Sequence, residues 1–321
     1  MIYKYVLKGN TAKYTIEEMK ENYLVSIVVP VYNEEDKICQ CISSLLDQTY
    51  RREGYEVIIV DNGSSDRTRR RAMKYPVEVV SETETQSSYA ARNCGIIESS
   101  GSIIAFTDAD CRASYKWLEK GVGTIKRNKK IGAVAGRIDN GEGKTITQRY
   151  LNRINWLSQK ATINHKYLPY PQTANAIYKK DVFDKVGLFE EKWISGGDAD
   201  MSWRMQSETE YKIVYEEEAV IEHNHRESIK SLWGQAKKWG TGKYVLENKY
   251  KIPKEKSGKK VFFEILKKTS YYVYNKTKEM LRVNESEFAH GLLCDIVFKL
   301  GFNIGYMVAK IGYKLELFST E

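Results

Sequence analysis

From residue 24 onward the chain alternates continuous apolar runs with stretches whose apolar residues recur every three or four positions. Residues 24–30 form the first run, and Ile38, Ile42, Leu45 and Leu46 then follow at helical spacing. A second run, 55–60, ends in the polar turn Asp61-Asn62-Gly63-Ser64-Ser65-Asp66, and the basic segment 67–74 after it reads as a helix. Residues 77–80, 88–98, 102–106, 115–128 and 131–138 continue the series. Strands that are apolar throughout are buried on both faces, so the alternation predicts an α/β fold: a mostly parallel sheet flanked by helices. Ligands of such sheets bind beyond the carboxyl ends of the strands, which makes the polar residues after each run the candidates for chemistry.

The flanks have a different character. Residues 1–23 are polar and tyrosine-rich, with 15–22 readable as a short helix, and form an N-terminal extension to a core spanning 24–226. In the helical region 227–321, the stretch 249–260 holds six lysines against the single acid Glu255, with Pro253 and Gly258 as breakers, and reads as a linker. The strongly apolar tail, 291–317, is interrupted by Asp295, Lys299, Asn303, Lys310 and Lys314. Their intervals place them on one helical face, so an amphipathic helix is expected in preference to a spanning one. It has two readings: a helix lying on a membrane surface, or one packed on the catalytic domain or a second subunit.

Composition narrows the partners. A net charge of +9 with 42% hydrophobic residues is too apolar for a disordered chain and favours an anionic partner. Nucleoside diphosphates and anionic lipid head groups fit. Nucleic acid does not, because the lysines cluster beyond the apparent site without interleaved aromatics. Five cysteines without paired metal spacing, and no apolar signal region at residue 1, predict a reducing, cytoplasmic setting, including the cytoplasmic face of a membrane.

Four clusters sit where chemistry is expected. Pro30-Val31-Tyr32-Asn33-Glu34 and the turn from Asp61 to Asp66 offer amide and carboxylate groups that suit a nucleobase and ribose, although Asp61 and Ser64 equally suit a turn and a helix cap. Neither has the glycines of a dinucleotide fold or the lysine of a P-loop. In Thr107-Asp108-Ala109-Asp110, an extended backbone would turn Asp108 and Asp110 to one side as oxygen ligands for Mg²⁺ or Mn²⁺. In Gly196-Gly197-Asp198-Ala199-Asp200, the acids fall in the first turn of a helix, where the dipole alone favours them and where Asp198 can also serve as a general base.

With the clusters in this order, and with Ala91-Arg92-Asn93-Cys94-Gly95-Ile96 between the second and third, the chain resembles a family 2 glycosyltransferase of the Rossmann-like GT-A fold over about two thirds of its length. The resemblance implies an inverting transfer of a sugar from a nucleotide-diphosphate donor, UDP- or GDP-linked, to an acceptor hydroxyl on a lipid-linked or cell-surface glycan. By position it implies Pro30, Val31, Tyr32 and Glu34 beside the nucleoside, and Asp61 or Asn62 reading the base. Asn62 stands where many members carry a second aspartate. Arg92 is implied near the diphosphate, Asp110 as principal metal ligand with Asp108 and Ala109 beside it, and Asp198 as the base. Asn175 and Asp200 are implied on the acceptor side, and His223 or His225 as a further metal ligand. Gln235-Ala236-Lys237-Lys238-Trp239 is similar to the Gln-x-x-Arg-Trp motif of processive members, with Lys238 in place of arginine, so Trp239 reads either as an acceptor platform or as helix packing. Two other classes compete: a nucleotidyltransferase, which would carry a glycine-rich basic loop after the first strand, and a non-catalytic nucleotide-sugar binder.

Overall fold

The structure, a computed structural model, describes residues 25–253, 267–272 and 286–318. The expected N-terminal extension, the short helix within it, and the lysine-rich stretch from residue 254 lie outside the described residues. The chain divides into two compact units: one built from residues up to 138 with 159–192 and 201–222, the other from 139–158, 193–200 and 223 onward.

The first unit is organised by an eight-stranded sheet. Its strands are β1 (Val25–Val31), β2 (Tyr55–Asp61), β3 (Glu78–Ser81), β4 (Ile103–Phe106), β5 (Cys111–Ala113), β6 (Ile131–Asn140), β7 (Ala176–Lys179) and β8 (Lys212–His223), in the order β3-β2-β1-β4-β7-β6-β8-β5. Around them run α1 (Ile38–Leu46), α2 (Thr68–Ala72), α3 (Ser88–Glu98) and α4 (Trp117–Lys126), with α6 (Gln159–Ile163), α7 (Asp181–Val186) and α8 (Gly197–Glu208) later in the chain. Every residue of β1 and β2 is buried, as continuous apolar runs require. Parallel pairing joins β3, β2, β1 and β4, whereas β7 runs antiparallel to both β4 and β6. The parallel half is thus the one where strands alternate with helices in sequence; an apolar run by itself carries no direction.

Pro30 sits inside a central strand, a position that ordinarily costs a ladder hydrogen bond. Here β4 pairs with β1 only as far as Val28, so Pro30 has a partner strand on one side alone and its missing N–H breaks nothing. The end of that ladder also opens the space beyond β1 where the first candidate cluster lies.

The second unit is helical: α5 (Ile146–Arg153), α9 (Ile229–Lys249) and α10 (Ser286–Phe318). Capping boxes start α5 at Thr145 and α9 at Ser228. The last two helices touch backbone to backbone, because a Cβ on Gly240 would overlap the Phe302 carbonyl and one on Gly305 the Lys237 carbonyl. Leu151, Leu232 and Cys294 form the small core beneath, and Tyr150 of α5 donates its hydroxyl to Asp295 at 2.6 Å.

α10 presents three faces. Gly291, Cys294, Gly301 and Gly305 are buried; Asp295, Lys299, Asn303 and Lys310 line a polar stripe; and Leu300, Ile304, Met307, Val308 and Ile311 form an exposed apolar stripe at intervals of four, three, one and three. By length and composition alone the 25 residues Ala289–Tyr313 are enough to cross a membrane, their apolar 18-residue window having a mean hydropathy of 1.5.

Candidate active site

Beyond the ends of β1 and β2, two loops are laced together. Asn33 adopts a left-handed backbone, φ 52°, and exchanges hydrogen bonds with the second loop: its N–H donates to Ser64 Oγ at 2.9 Å, and its Oδ1 accepts from the Ser65 N–H at 2.8 Å. Glu34 N–H donates to Thr68 Oγ1, Glu35 N–H to Asp66 Oδ2, and Arg67 closes on the Glu35 carboxylate at 2.9 Å. That last contact is exposed, and the Arg67 hydrogen bonds hold the Glu35 carboxyl below its ordinary range. Tyr32, between these anchors, is 48% exposed, its ring free to lie along a planar ligand. Val31 is buried and Glu34 half-buried, in an ion pair with Lys37 at 3.1 Å.

Asp61 and Asn62 are both buried, and they do different things. Asn62 donates its amide to the carbonyls of Glu82 and Thr85, each at 2.9 Å, and so fixes the loop after β3. Asp61 has a buried Oδ1 with no hydrogen-bond partner among the described residues. The asparagine therefore has a structural reason to stand at 62, since a carboxylate cannot donate to two carbonyls. Asn62→Asp is expected to lower unfolding free energy by about 3 kcal/mol, the order for losing buried hydrogen bonds while setting a charge against their acceptors, readable as a fall in the urea midpoint.

The acidic motif is not an extended segment. Cys111 N–H returns to the Asp108 carbonyl at 3.0 Å, so 108–111 form a turn, and the two carboxylates engage different partners. Asp108 receives Arg92 Nη2 at 2.6 Å; Arg92, on α3, is buried and its guanidinium also lies over the Tyr89 ring. Ala109 is buried in the turn. Asp110 instead groups with Cys111 and His223, whose ligand atoms all lie within 4.8 Å of one another and are buried. His223 is placed here as the terminal residue of β8, the sheet neighbour of β5. One carboxylate and one imidazole suit a divalent cation that keeps open positions for substrate oxygens. Burial and the neighbouring aspartates push the Cys111 thiol well above its ordinary range, so it is the weakest donor of the three. Cys111 belongs to none of the sequence clusters, and only its adjacency to Asp110 signals it.

Asn175 is fully buried and fully used. Its Oδ1 accepts from Trp117 Nε1 at 2.8 Å while its Nδ2 donates to the Arg137 and Ala219 carbonyls at 2.7 and 2.9 Å. It ties the neighbourhoods of α4, β6 and β8 to the start of β7.

In the second unit, Asp198 is half-buried in the first turn of α8, and Asp200 is wholly buried, bonded to Lys249 and Tyr250. His225 is a satisfied core histidine whose Nε2 lies 2.9 Å from Asn140 Oδ1 and whose carbonyl accepts from Gln148. Trp239 stacks on Trp156, centroids 5.6 Å apart and planes within 5°, with Phe298 edge-on to both. That arrangement is side-chain packing, and it covers the ring face of Trp239 that lies toward Trp156.

Residues 26–187, just over half of the chain, match the family described as Glycosyl transferase family 2. The chain belongs to this family. Among family relatives, Glycosyltransferase AglE of Haloferax volcanii is 36% identical over 209 residues, covering 63% of this chain and 67% of its own. UDP-Glc:alpha-D-GlcNAc-diphosphoundecaprenol beta-1,3-glucosyltransferase WfgD of Escherichia coli is 37% identical over 93 residues, 28% of this chain and 36% of its own. Other glycosyltransferases are matched over 58% and 44% of their length, so the chain spans about half of several proteins that it resembles. Mannosyltransferase PcManGT from Pyrobaculum calidifontis, solved with GDP-Man and Mn²⁺, superposes with a TM-score of 0.54 at 16% identity, covering 91% of this chain and 75% of that one. At that identity the likeness shows the shared GT-A fold.

Proposed function

We propose that this family 2 chain is an inverting, divalent-cation-dependent hexosyltransferase that moves a sugar from a UDP- or GDP-linked donor to a hydroxyl of a lipid-linked or cell-surface glycan. The observation that carries the reading is the Asp61 carboxylate at the end of β2, with a buried oxygen lacking a donor among the described residues. An ionised carboxylate only accepts, so its missing partner is an N–H, which the imide edge of uracil or the N1–H edge of guanine supplies. Tyr32 lies alongside as the stacking face, and Arg92 supplies positive charge for the diphosphate. Asp110 and His223, with Asp108 beside them, would hold the cation, which when bound neutralises charge on the departing diphosphate. Asp198 takes the proton of the acceptor hydroxyl as its oxygen bonds to the anomeric carbon; the bond from that carbon to the diphosphate breaks on the opposite side, and the nucleoside diphosphate leaves. A single in-line displacement inverts the anomeric configuration.

The test is thermal shift with a panel of nucleotide sugars, with and without Mn²⁺. A UDP- or GDP-sugar should raise the melting temperature only with the metal, and Asp61→Ala should remove the shift; a panel in which no nucleotide sugar acts would sink the reading.

The α10 stripe supports a membrane-facing acceptor, in keeping with the diphosphoundecaprenol-linked acceptor in the name of WfgD. Lys299 and Lys310 flank the stripe, and the adjoining α9 carries exposed Lys237, Lys238 and Lys243. An anionic bilayer surface satisfies both the apolar stripe and this charge, whereas burying α10 as a span would strip the neighbouring lysines of water. Ile304→Glu with Val308→Glu should reduce flotation with phosphatidylglycerol vesicles by at least about tenfold, the order for losing two buried apolar side chains. Unchanged flotation would leave the stripe to a second protein copy.

A further inference from the structure

The two acids in the first turn of α8 have different surroundings. Asp198 is half-buried, whereas Asp200 has no exposed surface. The Asp200 Oδ1 receives the Lys249 ammonium at 2.6 Å and the Tyr250 hydroxyl at 2.7 Å, and the same hydroxyl lies 3.3 Å from the Asp200 carbonyl oxygen. Lys249 is the last residue of α9 and Tyr250 its C-cap. The Lys249 ammonium also lies over the rings of Trp193 and Tyr250, at 5.1 and 5.8 Å, so one side chain reaches both ends of the segment 193–200.

Two further points on α9 touch the same segment. A Cβ on Gly242 would meet the Ser195 backbone at 2.7 Å, and Leu246 lies against Gly196, whose φ of +92° only glycine adopts readily. Positions 242, 246, 249 and 250 are spaced four, three and one apart and so share one helical face. That face is a continuous seat for the loop and turn that carry Asp198. Residues two apart on a helix project about 200° from each other, so gripping Asp200 leaves Asp198 on the opposite side of the turn.

We propose that Lys249 and Tyr250 are positioning residues for the transfer step: by fastening Asp200 to the end of α9 they set where the Asp198 carboxylate meets the attacking hydroxyl. This rests on Asp198 being the general base. A displacement of about 1 Å at such a group costs turnover on the order of a hundredfold without touching donor affinity, which gives the proposal its signature.

The full chain carries the test, with UDP-glucose and GDP-mannose as donors, water as acceptor and nucleoside diphosphate release as the signal. Tyr250→Phe removes one hydroxyl and should lower release about tenfold at unchanged donor KM and melting temperature, while amide exchange across 197–201 quickens at least about tenfold. Lys249→Met should act in the same direction. In an Asp198→Asn background Tyr250→Phe should have no further effect on release, because both act through one carboxylate. Should neither donor be turned over, the exchange rates alone decide. Unaltered exchange, or normal release from a folded Tyr250→Phe protein, overturns the proposal, as does a rise in donor KM matching the fall in rate. Normal release by Asp198→Asn would instead remove the base assignment beneath it.

Discussion

Asp198→Asn is expected to cut turnover by at least about a hundredfold while leaving donor affinity nearly intact, the usual order for a lost general base. The substitution keeps the shape of the side chain and removes only its ability to accept a proton. In the proposed reading donor affinity is set by the loops after β1 and β2 and by the Asp110 group, none of which includes residue 198. Paired measurements of product formation and donor titration separate the two effects. Normal turnover would place the base elsewhere. Asp200, the other acid of that turn, is a poor substitute, since its Oδ1 already holds an ammonium and a phenol hydroxyl.

The second large effect is expected from Asp110→Ala, which should weaken Mn²⁺-dependent donor binding by at least about a hundredfold, more than the ten- to hundredfold typical of losing a residue that merely supports a ligand. The carboxylate is the one anionic donor in the buried group with Cys111 and His223, and removing it leaves an imidazole and a thiol that burial holds well above its ordinary range. His223→Ala should weaken the same binding less, because it keeps the negative charge of Asp110. A Mn²⁺ titration of Asp110→Ala that superposes on the wild type would show the cation sits elsewhere.

Much of this arrangement could be read from the sequence, for a physical reason. Strands buried on both faces write themselves as apolar runs, so β1, β2 and β4 begin and end within a residue or so of their expected bounds, and α3 occupies Ser88–Glu98 as expected. The polar residues that end those runs, Asp61 and Asp110 among them, are legible too, and the glycines before a helix mark Asp198.

What local pattern could not carry was partnership. Whether 108–110 extends or turns depends on a hydrogen bond from Cys111, and the turn is what separates the Arg92–Asp108 pair from the Asp110 group. The grip of Lys249 on Asp200 joins residues 49 positions apart, and the stack of Trp239 on Trp156 joins α9 to the loop after α5. Asn62 shows the same limit in a single residue: its place beside Asp61 is visible in the sequence, while its partners, the carbonyls of Glu82 and Thr85, are visible only in three dimensions.

The lacing of Asn33 to Ser64 and Ser65, and of Glu35 to Asp66 and Arg67, has a practical consequence for redesign. The two loops behave as one exchangeable cassette. A chimera that imports only residues 31–37 from a relative with another donor preference would leave the hydrogen-bonding groups of 62–68 facing strangers, and its failure would say nothing about which residue reads the base. Grafts that carry both loops together are the ones whose change in donor preference can be interpreted.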